Sequence, residues 1–402
     1  MKKLHIGLLP RILIAIALGI LFGHCLPLWL VRIFVTFNTL FSEFLGFAIP
    51  LIIVGLVTAA ISDIGKGAGR MLVLTTLIAY AATLLSGFLS YAMGASFFPS
   101  LIQKGVPLEQ ISEAQGVLPY FSVAIPPAMN VMTALIMAFT LGLGLAHTEG
   151  DTLQKAARQF RDIIVRMISA VILPLLPLYI FGIFLNMAHS GYVFSILAIF
   201  VKIIGLIFLL HVFVLVLQYS IAGLFARRNP FRLLARMMPA YFTALGTQSS
   251  AATIPVTLRQ TIANGVRPGI AGFVIPLCAT IHLSGSTLKI VACALALMIM
   301  QSMPYDFPLF AGFIFMLGIT MVAAPGVPGG AIMASLGILQ SMLGFDESAQ
   351  ALMIALYIAM DSFGTACNVT GDGAIALIID RITGRSMPSA SQPTEAEHNN
   401  EE

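Results

Sequence analysis

The chain alternates long apolar runs with short polar, proline- or glycine-bearing patches, and the runs are long enough to set the architecture. A membrane-crossing helix needs about 20 apolar residues, and runs at 10–34, 38–62, 71–97, 122–147, 164–188, 192–224, 268–300 and 347–380 meet that length. They predict eight membrane helices. Two further apolar stretches, 233–259 and 308–343, are interrupted by "GTQSSAATIPVT" and "AAPGVPGGAIMAS", so neither reads as a plain span.

Charge placement decides what those two stretches do. Lys and Arg collect in cytoplasmic loops, and with both termini inside, all but Arg32, Lys104, Lys202 and Lys289 of the 21 basic residues fall on that side. That holds only if each interrupted stretch enters and leaves on one face, the first from the cytoplasm and the second from outside. Both are therefore expected to be re-entrant hairpins. Irregular backbone at membrane depth is tolerated only where protein or a wet cavity surrounds it, and a matched pair marks a transporter's binding region. Hairpin plus helix occurs twice with opposite entry, an inverted repeat.

Composition agrees. With 402 residues, 58% hydrophobic and 9% charged, and a mean hydropathy of +0.97, the chain has too little polar surface for a water-soluble globule. The N-terminal "MKKLHIGLLPRILIAIALGILFG" has a signal-like basic flank, but its apolar run outlasts a signal and it reads as the first span. A net charge of +4 in short patches without interleaved aromatics gives no reason to expect a nucleic-acid partner. Cys25, Cys278, Cys293 and Cys367 lie in apolar segments without C-x-x-C spacing, as small packing residues do. Residues 98–121 read as a polar external loop and 386–402 as a tail too polar to pack.

The candidate chemistry lies in "DSFGTACNVTGDGAIALIIDRI", 361–382. Asp361, Thr365, Asn368 and Asp372 are spaced i, i+4, i+7 and i+11, one stripe of a helix. A carboxylate at the bilayer centre costs about 2.5–3.5 kcal/mol even on the mildest scale, so the stripe must face positive ligands or a polar chamber. Oxygen ligands on a helix followed by a flexible "VTGDG" suit a hard cation such as sodium.

These residues carry a resemblance. "ACNVTGD" after an aspartate, "SSAATIPVT" in the first hairpin, "PLCATIHLSGST" in the seventh span and "GVPGGAIM" in the second hairpin together resemble the glutamate-transporter family of dicarboxylate and amino-acid:cation symporters. The resemblance implies an all-α membrane protein with eight transmembrane helices plus two re-entrant hairpins, a homotrimer, a bacterial inner-membrane location and an elevator movement. It divides the chain into scaffold helices 1–2 (1–70), transport-domain helix 3 (71–97), scaffold helices 4–5 (122–191), transport-domain helix 6 (192–228) and a transport core (229–385). It assigns Asp361 to a substrate's α-amino group, Thr365 and Asn368 to substrate and its α-carboxylate, Ser249 and Ser250 to the carboxylate, and Gly326, Val327 and Gly329 to an extracellular gate. Asn368, Asp372, Cys278 and His282, partly through backbone, would hold the coupled sodium. No further cofactor is expected.

Three departures follow. The family's N-M-D-G-T reads "HLSGS" here, with Ser284 for the aspartate, which puts one sodium site in doubt, while His282 opens a proton-coupled alternative, because imidazoles titrate near neutral pH. Gly364 stands where members with acidic substrates carry an arginine, which points to a neutral amino acid. Lys289 is expensive in a membrane unless paired. It replaces the missing guanidinium, substitutes for a cation beside Asp372, or snorkels outward. The expected function is import of a small amino acid with sodium, the same fold carrying C4-dicarboxylates being the alternative. A channel would want a charged ring or carbonyl filter, and a hydrolase on Ser284 or Ser286 with His282 lacks partners from separate elements.

Overall fold

A computed structural model describes residues 7–65, 70–102, 117–149, 151–189, 191, 193–325 and 328–383. Fourteen helices run in order through these residues: α1 Leu8–Gly23, α2 Leu28–Gly65, α3 Arg70–Leu101, α4 Val131–His147, α5 Thr152–His189, α6 Val193–Ala226, α7 Pro230–Thr247, α8 Ser250–Ala263, α9 Pro268–Ile281, α10 Ser284–Met300, α11 Phe307–Ala323, α12 Gly330–Leu343, α13 Glu347–Ala359 and α14 Asp361–Thr383. Six helices or end-to-end helix pairs among the described residues are long and apolar enough to cross a membrane, while α1 and α4 are shorter.

Several expected boundaries move. The first break falls at 24–27 rather than 34–38, because Pro27 ends one helix and starts another, and α2 then runs 38 residues through Pro50. Cys25 sits exposed in that break, outside any apolar span. Within residues 122–130, Pro126 and Pro127 lack the amide hydrogens a helix needs, and the segment stays non-helical until Asn130 caps α4 through Thr133 N. Residues 117–121 lie along α2, held by Arg32 Nε to Leu118 O and Tyr120 N to Thr36 Oγ1; the rest of that loop from 103 to 116, and the tail from 384, fall outside the described residues. "VTGDG" is helical and buried within α14 instead of flexible.

The two hairpins are α7 with α8 and α11 with α12, each pair packed arm on arm. Around them, α1 lies on α5, and α2 on α4 and α5. The α1–α5 contact is close because Gly19 and Gly23 are spaced as G-x-x-x-G: a Cβ at Gly19 would sit 2.8 Å from Phe181 O, and small residues let membrane helices approach this way. The second hairpin packs on α2, and α12 also on α4, whereas the first packs on α6, α9 and α14. Through the middle runs α10, every residue of which is buried.

Candidate functional site

Four interruptions of helical backbone meet at the centre. The first hairpin turns at Gln248, left-handed at φ +53°, with Ser249 capping α8 through Ala252 N. The second turns before Gly329, at φ +73°. The seventh span breaks at His282–Leu283 between α9 and α10, and the eighth at Met360 between α13 and α14. Each break frees amide and carbonyl groups that must be satisfied locally.

Side chains stitch the breaks together. Gln248 Nε2 donates to Ser362 Oγ at 2.9 Å, and Gly329 N donates to Asp361 Oδ2 at 2.9 Å. Gly285 N and Ser286 N donate to Asn368 Oδ1 at 2.8 and 3.3 Å, while Asn368 Nδ2 and the Tyr357 hydroxyl reach Ser286 Oγ, both at 3.1 Å. A small chamber of about 30 Å³ remains, lined in part by Gln248, Ser250, Ser286, Tyr357, Asp361 and Thr365. The stripe of α14 thus faces protein and chamber, as its cost in lipid requires.

Lys289 is fully buried and does not snorkel. Its ammonium lies 2.8 Å from Asp361 Oδ1 and 3.5 Å from the centroid of the Tyr357 ring. The pairing with Asp372 raised from sequence is corrected: Lys289 belongs to Asp361. Gly364 makes the arrangement possible, since a Cβ there would fall 2.7 Å from both Nζ and Cε of Lys289. The absence of a side chain at 364 and the presence of the lysine are one feature.

Asp372 has a different partner. Its Oδ1 lies 2.9 Å from His282 Nδ1, with both side chains buried. His282 is wholly rather than partly enclosed. Two buried atoms without a hydrogen-bond partner, His282 Nε2 and Gln218 Oε1, flank Gly371, where a Cβ would lie 2.7 Å from His282 Cε1 and 2.5 Å from Gln218 Oε1. Cys278 is buried alongside and its carbonyl accepts His282 N. Among the described residues no group of three or more His, Cys, Asp or Glu converges. A cation held here would draw mainly on Asp372 and on amide, hydroxyl and carbonyl oxygens, with Asn368 Oδ1 already turned to the α10 amides.

The structure therefore brings Ser250, Gly329, Asp361, Gly364, Thr365, Asn368 and Lys289 to one region, and His282, Asp372 and Cys278 to a second just beyond it. Ser249 sits at the tip as a helix cap, and Gly326 and Val327 lie outside the described residues. Sequence reasoning missed Tyr357, Gln218, His211 and Gln248. Tyr357 stands one turn before Asp361 on the same stripe, and His211 and Gln218 are polar residues seven apart in the apolar sixth span. That spacing was the available signal: His211 Nε2 lies 3.1 Å from Gly285 O, and Gln218 Nε2 donates to Ser284 Oγ at 3.2 Å.

A profile of the sodium:dicarboxylate symporter family matches residues 8–382. The chain is 28% identical to excitatory amino acid transporter 1 of Rattus norvegicus over 300 residues, 70% of this chain and 54% of that protein. It is 26% identical to the serine/threonine transporter SstT of Acinetobacter baumannii over 393 residues, 94% of this chain and 97% of that one. Neutral amino acid transporter A of Bos taurus shares 28% over 282 residues, 66% of this chain and 50% of the relative. The chain spans about half the length of the animal relatives and nearly all of the bacterial one.

Proposed function

The chain belongs to the sodium:dicarboxylate symporter family, and from that premise we propose a secondary active symporter that moves a small carboxylate-bearing solute inward together with a cation. The observation that carries this reading is the convergence of both hairpins and two helix breaks on one small chamber with polar and charged residues in its lining. Helix N-termini at Ser250, Ser284 and Asp361 offer positive dipole ends to a carboxylate. An enzyme is not indicated, since the relatives are transporters.

The solute class spans amino acids and dicarboxylates. The relatives' names favour an amino acid, with Asp361 as its ammonium anchor, yet Lys289 already shares that carboxylate. In the proposed cycle, helices 1, 2, 4 and 5 form a fixed frame, and the hairpins with α3, α6, α9, α10, α13 and α14 slide past it in a bacterial inner membrane, as one protomer of a trimer with both termini cytoplasmic. The second hairpin packs on α2 and, through α12, on α4, whereas the first packs on α6, α9 and α14 within the proposed moving part.

Sodium is the first candidate for the coupled ion, through Asp372 and neighbouring oxygens. Coupling to a proton is the second reading, favoured by one observation: His282 fills the Asp372 carboxylate's near side at 2.9 Å. Inward movement of one net positive charge draws about 2.3 kcal/mol per 100 mV, enough to concentrate the solute. The test is uptake of radiolabelled amino acids and dicarboxylates into proteoliposomes under imposed sodium or pH gradients. Gradient-driven accumulation of one class supports the reading; no accumulation under either gradient overturns it.

A further inference from the structure

We propose that Lys289 is a specificity-determining residue that fills the ammonium seat of Asp361, so that the solute is a small organic acid without an α-ammonium group. The inference rests on the symporter reading above and names its substrate class.

The geometry leaves Asp361 little to offer a zwitterion. One carboxylate oxygen is held by the Lys289 ammonium at 2.8 Å and the other by the Gly329 amide at 2.9 Å. The lysine head is enclosed on its remaining sides by the Tyr357 ring and by Met360 O at 3.5 Å. An arriving ammonium would stand beside a buried cation of the same sign, and like charges repel more strongly in a low-dielectric surrounding than in water. Displacing Lys289 instead would strand a charge that is 0% exposed, which is heavily penalised.

Gly364 shows that the seat is built for the lysine. Any side chain at 364 would intersect the last two atoms of Lys289, so the pair is a tethered replacement for a bound ammonium. With the Asp361 charge cancelled internally, a hydroxy, oxo or unsubstituted carbon can occupy the position next to the solute's carboxylate. Gln248, Ser250 and Thr365, which line the chamber without charge, suit such a neutral group. The carboxylate itself meets the helix N-terminus at Ser250.

The test uses isosteric pairs that differ only in the group at the α-carbon: L-lactate against L-alanine, and L-malate against L-aspartate. Full-length protein in proteoliposomes is given each labelled compound under sodium and pH gradients. The expected result is at least tenfold faster uptake of the hydroxy acid in one pair. Equal or faster uptake of the amino acid in both pairs overturns the inference and leaves the symporter reading intact. No uptake of any of the four overturns both. Lys289→Met frees Asp361 and is expected to reverse the preference toward the amino acid. Because that variant leaves a buried charge unpaired, Lys289→Met with Asp361→Asn is the partner measurement, expected to take up neither amino acid. Amino-acid uptake by the double variant at the rate of Lys289→Met, or wild-type preference in Lys289→Met, would also overturn the inference.

Discussion

Gln248 and Ser362 tie the tip of the first hairpin to the first turn of the last helix, with Nε2 donating to Oγ at 2.9 Å. On the next residue back, Asp361 receives the amide of Gly329 from the second hairpin. Both hairpins thus latch onto neighbouring positions of one helix.

If the Gln248 latch holds the first hairpin shut, Gln248→Ala removes one neutral hydrogen bond worth about 0.5–1.5 kcal/mol. The tip should open a few-fold to about tenfold more often. Hydrogen–deuterium exchange over 247–253 should quicken by that factor while α10 amides stay protected. Unchanged exchange at the tip would show that the latch carries no closing energy.

The His282–Asp372 pair separates the two coupling ions. His282→Gln keeps a donor within reach of Asp372 but cannot take up a proton. Under the proton reading, uptake driven by an acid exterior should fall at least tenfold, while exchange of labelled for unlabelled solute continues. Under the sodium reading, His282→Gln should leave sodium-driven uptake within a few-fold of wild type, and Asp372→Asn should abolish it. Initial rates under the two gradients distinguish these outcomes.

Gly364→Ala places a methyl group in the space of the Lys289 head. Overpacking of this kind costs roughly 1–3 kcal/mol, and it falls on the Lys289 head rather than on backbone, since Nζ and Cε are the atoms the methyl group meets. Transport should drop at least tenfold with a small fall in thermal midpoint. A large loss of folded protein with normal transport in the remainder would place the strain elsewhere.

Gly19→Leu tests the frame. The new side chain would meet Phe181 O and Phe184 Cβ, at 2.8 and 3.0 Å from the Cβ position alone, so α1 must part from α5. A loss of roughly 1–3 kcal/mol or more is expected, read as a lower midpoint in a detergent thermal-shift assay. Solute preference should not change, because α1 contributes nothing to the chamber lining.

Much of this protein was legible in its residues. Apolar run length locates the long apolar helices, six of which among the described residues suffice to cross a membrane, Pro, Gly and Ser clusters mark where both hairpins break, and the helical period places Asp361, Thr365, Asn368 and Asp372 on one face, all of which are properties of a chain read in one dimension. The helix starts misjudged at 24–27 and 122–130 are cases where a proline outweighed hydropathy. Which carboxylate Lys289 would meet was beyond such reading. Asp361 and Asp372 lie eleven residues apart, roughly 16 Å along a helix, and the choice depends on how far α10 slides against α14. That register is set where the backbones approach: a Cβ at Gly285 would lie 2.7 Å from Gly364 O. With the two glycines in contact and the helices running antiparallel, His282 comes to Asp372 and Lys289 to Asp361. Close packing between distant segments decided the pairing, and no local preference of either segment encodes it.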